Sequence, residues 1–168
     1  ASPTGARSTE REEEEGLPRV SINKKLFEIP FDEIKICKKL GSGGSGAVVF
    51  KVEWRGIDAA FKVFRANSFN DPNFYDAFEK EVAILSSCRH PGIIHFYGCT
   101  IKESKIGIMM ELCSNGSLGS YFESMKEIGE NTFTFEKKIQ ILHDISRCMS
   151  YLHHVKVVHR DLKMENIL

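Results

Sequence analysis

The sequence predicts an α+β chain: five strands, the first three an antiparallel meander, with one inserted helix, followed by a segment that is mostly helical. Three patterns carry this expectation. Residues Ile34 to Arg65 alternate with period two between turn signals. Two stretches, Phe74–Leu85 and Phe135–Leu152, repeat apolar residues at helical spacing. Two short apolar runs, Ile93–Tyr97 and Ile106–Met110, read as strands.

Taken in order, residues 1–21 are polar and include the acidic run Glu12–Glu15. They bury too little apolar surface to offset ordering entropy and are expected to form a disordered leader. Folded patterning starts near Ile22. In the meander, Val48, Phe50, Val52 and Trp54 share one face, and Ala60, Lys62 and Phe64 share another. Turn signals stand at Gly41–Gly46 and Arg55-Gly56. The first helix carries the stripe Phe74, Phe78, Val82 and Leu85. The second and longer one runs from about Phe135 to His154, with the stripe Phe135, Ile139, Leu142, Ile145, Met149 and Leu152 and with Thr134 as its N-cap.

Composition sets the outer bounds. The chain has 168 residues, 42% hydrophobic and 27% charged, which suits one soluble domain or part of one. Lys+Arg and Asp+Glu balance at 23 each, so no overall field points to nucleic acid or an anionic membrane. The 5 cysteines are odd in number and scattered, which argues against a disulfide framework and for a reducing, cytoplasmic setting. The longest apolar stretch, around Ile106–Met110, is far short of a membrane span.

Three motifs carry chemistry. The first is Gly41-Ser42-Gly43-Gly44-Ser45-Gly46-Ala47-Val48, in which glycines let backbone N–H groups approach a phosphate. The G-x-G-x-x-G spacing alone also fits a dinucleotide fold or a plain turn. A dinucleotide fingerprint opens a helix, however, whereas the residues after Gly46 are β-branched and alternating. A Walker A loop needs Lys and Ser or Thr where Ala47 and Val48 stand. A strand–loop–strand over a nucleotide remains.

The second motif is Lys62, between Phe61 and Val63. Alone it reads as a snorkelling surface lysine; buried, it needs a counter-charge. Glu81 lies at the edge of the first helix's apolar stripe and can reach inward, whereas Glu79 points further away. Glu81 alone reads as a solvated helix charge.

The third motif is His159-Arg160-Asp161-Leu162-Lys163-Met164-Glu165-Asn166. Asp161 can accept a hydroxyl proton, Lys163 can neutralise a phosphoryl group, and Asn166 can offer an amide oxygen to Mg²⁺. A charged surface turn would account for any one of these residues, but not for the whole string after the other two motifs.

Together the motifs make the chain resemble the eukaryotic protein kinase superfamily: G-x-G-x-x-G-x-V, A-x-K, a helix Glu, then H-R-D-L-K-x-x-N, over roughly Ile34 to Leu168. The resemblance implies a small lobe over about residues 31–112, a hinge at about 111–116 and the start of a helical large lobe over 117–168. It implies ATP and Mg²⁺ as cofactors and a protein substrate phosphorylated on serine or threonine. It implies that Gly41 to Gly46, Val48, Ala60, Lys62, Met110, Glu111, Leu112, Cys113 and Leu168 bind ATP, with Met110 as gatekeeper and Val48 and Ala60 roofing the adenine over Leu168. Lys62, Glu81, Asp161 and Lys163 would be catalytic and Asn166 a metal ligand. Leu85, Phe96 and His159 look like members of the regulatory spine; ordinary core packing would account for them equally. Lys163 resembles the serine/threonine kinases, and Glu53-Trp54-Arg55-Gly56 and Ile94–Gly98 resemble the tyrosine-kinase-like group, which includes the Raf-type and mixed-lineage kinases.

Two departures stand out: Ala59 where valine is usual, and Gly44-Ser45 where many relatives carry an aromatic at the loop tip. No Asp-Phe-Gly occurs in residues 1–168. The chain by itself is therefore expected to be inactive, and the Phe135–His154 stripe to lack part of its cover. A non-catalytic kinase-like scaffold is the other reading.

Overall fold

The computed structural model describes residues 27–42, 47–64, 72–102, 105–128 and 133–168. The expected leader over residues 1–21 and the loop residues Gly43, Gly44, Ser45 and Gly46 lie outside the described residues.

β1 (Ile34–Ser42), β2 (Val48–Trp54) and β3 (Ile57–Val63) form the expected meander. The β2–β3 hairpin turns over Arg55 at φ 49° and Gly56 at φ 81°. Two consecutive left-handed residues mark a type I′ turn, whose twist matches that of the flanking strands. Gly56 adopts this conformation without steric penalty. Arg55 is tied there by the Glu33 carboxylate, which accepts its Nε at 2.8 Å.

After α1 (Phe74–Ser87) come β4 (Phe96–Lys102) and β5 (Lys105–Glu111). Among the described residues the strands make one sheet in the order β1-β2-β3-β5-β4, every pair antiparallel. β4 departs from the expected run Ile93–Tyr97. Pairing starts at Phe96↔Met110 and continues through Gly98, Cys99 and Thr100, while Ile93 sits in a turn, its N–H bonded to the His90 carbonyl at 2.9 Å. Pro91-Gly92 makes that turn, so the apolar pair Ile93-Ile94 precedes the strand instead of starting it.

The sheet buries a cluster on each face. Val52, Ala59, Phe61 and Met109 pack with Ile29 and Ile34 on one side. On the other, Phe64, Phe96, Ile106 and Ile108 pack with Phe74, Phe78 and Val82 of α1, so the stripe read from the sequence is the buried face of that helix.

Two helices follow. α2 (Leu118–Ile128) was legible only as part of a helical remainder. Its N-terminus is closed reciprocally: Ser117 Oγ accepts from Ser120 N at 3.1 Å and Ser120 Oγ accepts from Ser117 N at 3.0 Å. This is a serine version of the capping box. α3 (Phe135–His154) has the expected bounds and the expected cap, Thr134 Oγ1 accepting from Lys137 N at 3.3 Å. Its C-terminal half docks on the loop after α1, where Tyr151 Oη accepts from Arg89 N at 2.7 Å and Cys148 Sγ donates to the Gly92 carbonyl at 3.2 Å. Leu152 is buried, whereas Phe135 and Leu142 are 74% and 61% exposed.

Candidate active site

Lys62 belongs to β3, the central strand, where its neighbour Phe61 is buried and hydrogen-bonded strands flank it on both sides. That fixes the lysine backbone. Its Nζ lies 2.7 Å from Glu81 Oε1 on α1 and 5.1 Å from the centroid of the Phe64 ring. The structure thus brings together the cation and the carboxylate singled out from helix geometry. Side-chain exposures of 23% and 36% make this a half-buried pair that faces open space on one side.

The register decides which side chains share the lysine's face. Directly paired residues in an antiparallel ladder point the same way. Val49 pairs with Lys62 and Met110 with Ala60, so these four line one face. Val48 pairs with Val63 and points to the opposite face. The expectation that Val48 and Ala60 form a common roof is corrected: Val49 is the valine beside Ala60. Counting from the glycines missed it, because strand phase is set by cross-strand pairing.

At the end of β5, Glu111 N donates to the His95 carbonyl at 2.8 Å and its carboxylate accepts from His95 N at 3.3 Å. The chain then turns through half-buried Leu112 and Cys113, closed by Gly116 N donating to the Cys113 carbonyl at 3.2 Å. Burial first, and the nearby Glu111 carboxylate second, push the Cys113 thiol above its ordinary pKa.

The second constellation lies in the loop after α3. Asp161 N donates to the His159 carbonyl at 2.9 Å across Arg160, which has φ 62°. A non-glycine residue in the left-handed region is a small store of strain, and here it reverses the chain to present Asp161. The Asp161 carboxylate is gripped from two sides, by Lys163 Nζ at 2.9 Å on Oδ1 and by Asn166 Nδ2 at 2.8 Å on Oδ2. Asn166 Nδ2 also reaches the Asp161 carbonyl at 2.7 Å. Lys163 first and Asn166 second hold the Asp161 carboxyl below the usual carboxylate range. The loop is braced from behind: Leu118 N, the first amide of α2, donates to the Ile167 carbonyl at 2.7 Å. Sequence reasoning did not anticipate that brace.

The donors of Asn166 are spent on Asp161, which leaves its amide oxygen free to accept or ligate. Among the described residues no group of three or more His, Cys, Asp and Glu could hold a metal ion. The Asn166 amide oxygen, beside the Asp161 carboxylate, is the hard oxygen type that a cation such as Mg²⁺ takes. Phe96 belongs to one buried apolar cluster, and Leu85 and Met110 pack against it. His159 lies in the turn after α3, its ring Nδ1 3.3 Å from Asp161 N. Leu168 is 62% exposed. Gly41 and Ser42 end β1, ahead of loop residues outside the described set.

A family model described as protein kinase domain matches residues 34–168. The chain is 33% identical over 157 residues to the RasGEF domain-containing serine/threonine-protein kinase X of Dictyostelium discoideum, covering 94% of this chain and 15% of that protein. It is 33% identical over 144 residues to the serine/threonine-protein kinase CTR1 of Arabidopsis thaliana, covering 84% of this chain and 17% of that one. It thus spans less than a fifth of the length of either relative. No described helix is long and apolar enough to cross a membrane.

Proposed function

The chain belongs to the protein kinase domain family, and from that premise we propose that it supplies the ATP clamp and catalytic loop of a kinase that phosphorylates serine and threonine in protein substrates. The observation that carries this reading is the Asp161 carboxylate, held ionised between Lys163 and Asn166.

Each residue then has a task. The adenine edge meets the backbone of Glu111 to Cys113, between Met110, Ala60 and Val49. Lys62, oriented by Glu81, holds the α- and β-phosphates. Mg²⁺, when bound with ATP, neutralises phosphate charge, and Asn166 would be its ligand in this chain. The substrate hydroxyl donates its hydrogen to Asp161 and its oxygen attacks the γ-phosphorus. As that O–P bond forms, the bond from the γ-phosphorus to the bridging oxygen breaks and ADP departs. The hydroxyl proton goes to Asp161, and Lys163 compensates charge on the transferring group. Residues 1–168 include no Asp-Phe-Gly carboxylate; alone, they are proposed to bind nucleotide with little turnover.

The motif Glu53-Trp54-Arg55-Gly56 and the run Ile94–Gly98 support placement in the tyrosine-kinase-like group, and Lys163 supports serine and threonine as the residues modified. The cysteines among the described residues are free thiols, which supports an intracellular setting.

The test is phosphoryl transfer by the full-length protein from labelled ATP to a generic protein substrate, followed by phosphoamino-acid analysis. Phosphoserine and phosphothreonine are expected, with transfer lowered about 10²–10⁴-fold and ATP binding retained in Asp161→Asn. Phosphotyrosine alone would remove the serine/threonine assignment. Absence of both nucleotide binding and transfer would leave a scaffold.

A further inference from the structure

β4 is an edge strand of the sheet and the strand against which α1 rests. Residues just ahead of β1 occupy its outer edge. Cys99 N donates to the Phe27 carbonyl at 2.8 Å and Ile29 N donates to the Cys99 carbonyl at 2.7 Å, making a parallel bridge between Glu28 and Cys99. Thr100 Oγ1, fully buried, donates to the Ile29 carbonyl at 2.6 Å. Gly98 makes room for this strap: a Cβ there would stand 2.5 Å from the Phe27 carbonyl oxygen and 2.8 Å from the Ile29 side chain.

The strap delivers one aromatic ring. Phe27 meets Phe96 edge-on at 5.6 Å between centroids, and it packs against the cluster that holds Phe78 and Val82 of α1. The Lys62–Glu81 ion pair is only half-buried, so solvent screening weakens its hold on α1. The pose of α1 therefore rests on apolar packing, and Phe27 is a member of that packing supplied by neither the sheet nor α1.

We propose that Phe27 is a positioning residue: anchored by the strap on β4, it backs Phe96 and holds α1 where Glu81 reaches Lys62. This rests on the reading of Lys62 and Glu81 as the phosphate clamp.

The experiment is steady-state kinetics of the full-length protein with ATP varied, for Phe27→Ala, Phe27→Leu and Gly98→Ala, with Phe27→Ala repeated in a Glu81→Gln background. Phe27→Ala and Gly98→Ala are expected to lower kcat/KM for ATP roughly tenfold. Phe27→Leu should recover most of the loss. In the Glu81→Gln background Phe27→Ala should add less than about twofold, since the two changes act through one contact. Equal fold-losses in both backgrounds, or no loss in either, overturn the proposal. Hydrogen exchange reads the same point without catalysis. Faster exchange confined to residues 74–87 in Phe27→Ala is expected, and unchanged exchange there overturns the proposal even if the wild-type protein transfers no phosphate. A wild-type protein that transfers none defeats the kinase reading separately.

Discussion

Asn166 donates its side-chain amide to Asp161 twice, to carboxylate Oδ2 at 2.8 Å and to the main-chain carbonyl at 2.7 Å. One side chain thus fixes both the direction of the carboxylate and the backbone that carries it. Asn166→Ala should cost about 10²-fold in kcat, the order found when one preorganised polar group is removed from an active site. Asp161→Asn should cost about 10²–10⁴-fold, the range for a general base, with ATP affinity unchanged. Rapid-quench assays beside nucleotide titration separate the two, and near-normal turnover in Asp161→Asn would remove that residue from the mechanism.

Lys163 is the leading cause of the lowered Asp161 pKa. A depressed carboxyl stays ionised until the pH falls through its lowered value, so its contribution is present at neutrality and is lost only on acidification. Lys163→Ala should return the carboxyl towards the ordinary range and move the acid limb of the kcat profile to higher pH. An acid limb that stays in place would mean that another group sets it.

Lys62→Met should raise the KM for ATP and lower kcat, by about 10²-fold or more in kcat/KM. Glu81→Gln should act in the same direction but more weakly, because the lysine charge remains while its orientation loosens. Equal ATP affinities in all three proteins would separate this ion pair from nucleotide binding.

Val49 and Val48 are a discriminating pair, because the ladder puts Val49 on the face of Ala60 and Lys62 and Val48 on the other. Val49→Phe should weaken ATP binding by roughly tenfold, consistent with overpacking costs of about 1–3 kcal/mol. Val48→Phe should weaken it less. Calorimetric titration of the two variants checks the order, and the reverse order would mean that the β2 phase is shifted by one residue.

Thr134→Ala removes the side-chain acceptor at the start of α3. The loss should be about 1 kcal/mol of stability, read by denaturant titration, with catalysis unaffected beyond that.

Much of this was legible in the sequence because local pattern and tertiary requirement agree. α3 announces itself through a long apolar stripe behind a threonine cap, and its bounds were readable to the residue. Glu81 was separable from Glu79 by helix geometry alone, and it is the residue found against Lys62. The misplaced β4 has the opposite character. Gly98 and Cys99 interrupt its apolar alternation, and burial by the strap and α1 decides their state. α2 begins with Leu118-Gly119-Ser120, where a glycine and capping serines mask a short helix. The strap was invisible because Thr100 and Ile29 lie 71 residues apart, and no periodicity connects them.

The two margins of the sheet are closed by different means. β4 is covered by the strap, but β1 at the other margin leaves Ile36 and Leu40 nearly half exposed. A straight apolar edge of that kind would template a strand from another molecule. Register shifts between Ile36 and Lys38 and between Lys39 and Gly41 interrupt the even ladder spacing an incoming strand would need. Lys38 and Lys39 add like charge along the same margin. Resistance to edge-to-edge aggregation is therefore partly electrostatic. It weakens as salt shortens the screening length from about 10 Å at 0.1 M to about 3 Å at 1 M, whereas the bulges protect at any ionic strength.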